Sequence, residues 1–141
     1  MRSRVAWAAT ACVLLALPAG CGSSGSDAAV RATFRHGIEQ IRTSAGATAL
    51  RQHLRHTLAD LRGEQASSDT ARRGRRLAIA GFEQTLEGVE AQIDFSENDS
   101  GELEAAARDA MRAERHKKRG ADLLQAAGRA LNVPVGRLPG Y

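Results

Sequence analysis

Cysteine, proline and aromatic residues are all scarce: two Cys, three Pro, three Phe, one Tyr and one Trp in 141 positions. Each scarcity removes a class of protein. Cys12 and Cys21 alone cannot build a disulfide scaffold or a cysteine-rich zinc site. So few aromatic rings leave no platform for stacking bases or sugars. Fourteen Gly fall far short of a collagenous or linker-like chain. No apolar run approaches the roughly 20 residues that cross a bilayer as a helix. Phosphate loops, G-x-S-x-G elbows, H-E-x-x-H zinc pairs and C-x-x-C-H haem sites are all missing, so neither an enzyme nor a cofactor is expected. The length allows one domain, and 26% charged residues is an ordinary globular proportion.

The first element present is an address. Arg2 and Arg4 precede Val5 to Leu17, an uncharged apolar run of thirteen residues. That is too short to span a bilayer and has the length of a signal-peptide core. It leads into Leu17-Pro18-Ala19-Gly20-Cys21. The small pair before a cysteine resembles the lipobox of bacterial lipoproteins, although Pro18 stands where that family prefers Leu. The resemblance implies a diacylglyceryl group on the Cys21 thiol, cleavage just before it, and a lipid-anchored protein on the extracytoplasmic face of the cell membrane. An ordinary secretory signal, leaving Cys21 as a free thiol, is the alternative. Residues 1–20 are then signal peptide, and residues 21–26 a lipidated cysteine with a flexible Gly/Ser tether. Losing Arg2 and Arg4 lowers the net charge from +4 to +2, and nucleic acid is not an expected partner outside the membrane.

Residues 27–131 read as helix throughout, with no half-buried strand pattern. Val30, Phe34, Ile38, Ile41 and Ala45 form one stripe, and Ala47, Leu50, Leu54, Leu58 and Leu61 a second. Ile79, Phe82, Leu86, Val89 and Ile93 form a third, and Leu103, Ala106, Ala107 and Ala110 begin a fourth. A single stripe cannot bury itself, so the stripes face one another. Breaks are expected around Gly46, between Gly63 and Ser68, and between Ser96 and Gly101. A further break at Gly120 would follow a last turn filled by Arg115, Lys117, Lys118 and Arg119, where cations suit the helix dipole. The expected fold is all-α, an antiparallel up-down bundle of four helices. A short C-terminal helix (122–131) and an extended tail (132–141) would follow. The alternative is three long helices with a kink near Gly46.

Charge is unevenly spread. Leu77 to Ala107 holds eight acidic and no basic side chains, between Arg72-Arg73-Gly74-Arg75-Arg76 and the Arg115/Lys117/Lys118/Arg119 cluster. Folding α-helices back about Asn98 would set Arg76 beside Arg119, and folding about Gln65 would add Arg55 and Arg62. The expectation is a basic end and an acidic tip. A solvated charged face is the plainer reading. Near the anchor, the basic end could meet anionic lipid; pointing outward, it could meet a wall polymer or an envelope protein.

Two metal candidates complete the list. His53, His56 and Asp60, with Glu64, share one helical face and could ligate Zn²⁺ or a similar ion. The Asp94–Glu102 loop is oxygen-rich but lacks the glycine and the terminal glutamate of an EF-hand. The function expected is a small lipid-anchored, non-enzymatic interaction or envelope-associated module. A divalent-metal-binding lipoprotein is the alternative.

Overall fold

The computed structural model describes residues 23–97 and 103–138. The signal segment, Cys21, the loop at 98–102 and residues 139–141 lie outside them. Four helices run in order: α1 (Ser23–Thr43), α2 (Ala47–Gly63), α3 (Asp69–Glu97) and α4 (Leu103–Leu131). No strand occurs among the described residues. The all-α, up-down bundle stands, and residues 27–63 are two helices and not one kinked rod. Gly46 makes the turn with φ 111°, a conformation side-chain-bearing residues rarely adopt. It occupies the N-cap position of α2 itself, and Thr48 lies inside that helix. Because α1 begins at Ser23, the expected tether at residues 21–26 is already helical over its last four residues.

The three long stripes meet as expected. Val30, Phe34, Ile38 and Ile41 of α1, Leu54, Leu58 and Leu61 of α2, and Ala78, Phe82, Val89 and Ile93 of α3 are buried together. Phe34 and Phe82 meet edge to face with ring centroids 5.9 Å apart, the favoured geometry for an aromatic pair.

Three expectations need correction. Gly120 does not end a helix: α4 continues unbroken to Leu131, and no separate C-terminal helix exists. The reason lies across the interface. A Cβ at Gly120 would sit 3.0 Å from Thr85 N and 3.1 Å from Gly81 O, so the missing side chain lets two backbones approach closely. The same holds along α3, where Gly74, Gly81 and Gly88 receive Leu131, Leu124 and Lys117. Both series advance by seven residues, two helical turns, which keeps them on one seam.

The residues after α4 are a second correction. Asn132 takes φ 54°, and Val133 N donates to Gly128 O at 2.9 Å while Asn132 N reaches Arg129 O at 3.4 Å. This is a Schellman ending with Asn in the left-handed position. It turns the chain so that Val133, Val135 and Leu138 are buried in the common core. Arg42 Nη2 donates to Val135 O, and Gln125 Nε2 to Gly136 O at 2.8 Å. The extended segment is therefore a wall of the bundle and not a free tail.

The fourth stripe is the third correction. Leu103, Ala107 and Ala110 are exposed and Ala106 is only half-buried, as α4 buries nothing before Ala113. Phe95, near the end of α3, is also exposed. The buried face of α4 begins only at Ala113.

The ends of the elements are tied by side chains. Asp27 of α1 is buried, and its Oδ1 accepts from Ser67 N at 2.7 Å and Ser68 N at 3.2 Å. Ser68 Oγ in turn caps α3 by accepting from Ala71 N at 3.1 Å. The Ser68 hydroxyl above all, then the Ser67 and Ser68 amides and the Arg31 charge, hold the Asp27 carboxyl below its ordinary value against the opposing effect of burial. A lowered folded-state pKa means its stabilisation is complete above the unfolded value of about 3.9 and is lost as pH falls through the folded one. Asp27→Asn is expected to melt lower than wild type at pH 7. The gap should narrow as acid titration approaches pH 2. Thermal melts over that range check both.

Candidate functional site

The basic residues do not all collect at one end. Arg55 Nη2 lies 2.6 Å from Glu90 Oε1, and Arg62 Nη2 lies 2.6 Å from Glu83 Oε1. Both guanidiniums serve the acidic stretch of α3 and leave the basic end. The cause is register. A hairpin about Gln65 would set Arg62 beside residue 68, whereas its carbonyl lies against Arg75 and its guanidinium reaches on to Glu83. These are exposed pairs, of the kind that contributes at most about 1 kcal/mol.

The α3–α4 register differs in the same sense. Since Gly120 abuts Thr85 and Leu131 abuts Gly74, Arg119 is level with the middle of α3, about three turns from Arg76. The cluster Arg115, Lys117, Lys118 and Arg119 therefore lies mid-helix beside acidic neighbours, away from any helix end. His116 Nδ1 is 2.9 Å from Glu87 Oε2 and 3.2 Å from Gln84 Oε1. The aliphatic stem of Lys117 crosses Gly88, and its amine lies 3.5 Å from Glu114. Lys118 and Arg115 flank an open cleft of about 440 Å³ with Glu114, Ala121 and Asp122.

What remains at the other end is smaller and better defined. The first turns of α3 carry Arg72, Arg73, Arg75 and Arg76, and the last turn of α4 carries Arg129. Two of these have structural work. Arg75 donates from Nε to Leu61 O at 2.5 Å and from Nη2 to Arg62 O at 2.7 Å, capping the end of α2. Arg72 pairs with Asp69 at 2.5 Å. Arg31 of α1 likewise donates to Leu131 O at 3.1 Å and closes α4. Arg73, Arg76 and Arg129 are exposed, with no ion-pair partner among the described residues.

This end also receives the start of α1, because Asp27 holds Ser67 and Ser68 directly before α3. The antiparallel return expected from the turn at Gly46 is thus in place. Arg129 and the Asp27 clamp escaped the sequence reading. The signal for Arg129 is its last-turn position. Asp27 read as the start of the helix and nothing more.

The metal candidates do not assemble. His53 Nδ1 meets Ser44 Oγ at 3.0 Å, whereas His56 meets Asp60 at 3.5 Å. Glu64 accepts from Thr33 Oγ1. Only His56 and Asp60 meet, His53 and Glu64 having other partners, and no group of three potential metal-ligating side chains exists among the described residues. Much of the Asp94–Glu102 loop lies outside the described residues. No described helix is long and apolar enough to cross a membrane. Neither protein-family models, curated proteins nor solved structures match the chain.

Proposed function

We propose that the chain is a bacterial lipoprotein, anchored through a lipid on Cys21 at the extracytoplasmic face of the cell membrane. Its helical bundle acts as a non-enzymatic interaction module held against that surface. One observation carries the orientation: Asp27, six positions after Cys21, is clamped to the residues that open α3. Six residues span at most about 21 Å even when fully extended. A lipid on Cys21 therefore keeps Arg72, Arg73 and Arg76 close to the bilayer. One lipid group with a basic patch is a two-signal anchor, each cation near an anionic surface adding about 1 kcal/mol.

The apolar run Val5 to Leu17 and the Ala19-Gly20-Cys21 triplet support the address. The long α3–α4 seam supports a rigid module, with Phe95, Leu103 and Met111 exposed towards the opposite end. Cys21→Ala tests the proposal in the native cell. Wild-type protein is expected in the membrane fraction and to resist high-salt extraction, while the variant is expected in soluble or secreted material. Retention of Cys21→Ala in salt-washed membranes would overturn the anchor.

A further inference from the structure

The start of α3 and the end of α4 leave an open cleft of about 480 Å³, with Arg73 on one wall and Arg129 on the other. Like charges facing across one seam repel, and neither guanidinium has an ion-pair partner among the described residues. Asp69, the one acidic residue of the cleft, is engaged by Arg72 at 2.5 Å. Thr70 adds a hydroxyl to the same wall. Two guanidinium forks and a hydroxyl are donors that suit the oxygens of a phosphate group. The rest of the lining is apolar and half-buried: Leu77, Ala126 and Ala130. A free inorganic anion would leave that floor wet, whereas a phosphate carrying an apolar substituent would cover it.

We propose that this cleft binds the phosphodiester of an anionic phospholipid, in the leaflet that carries the Cys21 anchor. The inference rests on the lipid-anchored reading and adds to it a defined site, a ligand class and Arg129. Arg73 and Arg129 hold the phosphate oxygens, and Leu77, Ala126 and Ala130 receive the glycerol end of the acyl chains. The clamp at Asp27 puts the cleft at the end of the bundle where the anchor enters.

The test uses the mature chain with Cys21→Ser, so that no lipid anchor contributes. Co-sedimentation is measured with phosphatidylcholine vesicles containing about 30% phosphatidylglycerol, and with phosphatidylcholine alone. Binding is expected only to the former. Arg73→Glu with Arg129→Glu should weaken it by about tenfold or more. Arg115→Glu with Arg119→Glu changes net charge equally but lies elsewhere on α4, and should weaken binding less than about threefold by loss of general attraction alone. Circular dichroism and melting confirm that both variants fold. Equal losses in the two variants would overturn the cleft, as would no binding to either vesicle. Displacement by millimolar inorganic phosphate would reassign it to a free anion. Binding to a phosphodiester wall polymer in place of vesicles would likewise contradict the lipid assignment. Because the protein is unanchored here, each of these failures leaves the Cys21 result in cells untouched.

Discussion

Phe82→Ala is expected to cost about 3–5 kcal/mol, the largest loss from any single truncation in this chain. Domains of this size are held by about 5–15 kcal/mol, so the variant should be unfolded or close to it at growth temperature. The ring is completely buried. It reaches from α3 to α1, where its Cζ would lie 2.6 Å from a Cβ placed on Gly37, and Thr57 of α2 fills the same spot from the other side. Removing it opens a void where three helices meet and ends the edge-to-face contact with Phe34, itself about 0.5–1.5 kcal/mol beyond area alone. The neighbours shown, Phe34, Thr57 and the backbone at Gly37, sit on packed helices and collapse poorly into the gap. Denaturant unfolding should show a much lower midpoint. If the slope is unchanged, the loss is one of stability and not of a different unfolded ensemble.

Gly120→Leu is expected to cost about 3 kcal/mol or more, at the upper end of what overpacking does. The informative companion is Gly120→Ala. Alanine is favoured over glycine inside a helix by about 1 kcal/mol, so propensity alone predicts a gain. Sterics oppose it. The new Cβ would meet Thr85 Oγ1 at 2.5 Å, Thr85 N at 3.0 Å and Gly81 O at 3.1 Å. The hydroxyl is already bonded to Gly81 O at 2.9 Å, and the two backbone atoms cannot rotate away. Relief requires α3 and α4 to separate, which would loosen Leu124 on Gly81 and Leu131 on Gly74 as well. Gly120→Ala should therefore lose stability where Gly63→Ala, with open space around its Cβ, gains about 0.5–1 kcal/mol. Thermal melts of the pair distinguish a glycine that permits close packing from one that merely sits in a helix.

That contrast explains what could be read in advance. Helix existence and the first three apolar stripes were legible because period and polarity report burial directly. Val30 to Ile41 and Ile79 to Ile93 went where their spacing sent them. Register was not legible from loop midpoints. Between α3 and α4 it is set by Gly74, Gly81 and Gly88 against Leu131, Leu124 and Lys117. A shift of about three turns between α3 and α4 moved Arg119 away from Arg76, while Arg55 and Arg62 of α2 reach glutamates of α3. The expected basic end thus shrank from ten cations to the four of early α3, joined by an unforeseen Arg129. The seven-residue recurrence of glycine was the available signal, but glycine also punctuates helices, and a single sequence does not say which role applies. The C-terminal residues misled for a related reason. Pro134 does not favour helix, yet an extended segment still buries Val133, Val135 and Leu138 in the core.

The anchor carries the functional reading, because without it nothing holds the arginines of early α3 near a membrane. Mass spectrometry of protein isolated from its own envelope addresses it directly, through the tryptic peptide running from Cys21 to Arg31. The expected result is that peptide as the N-terminus of the mature chain, heavier by a thioether-linked diacylglyceryl group. Recovery of an intact N-terminal segment, or of an unmodified Cys21 thiol in the membrane-bound protein, would contradict it.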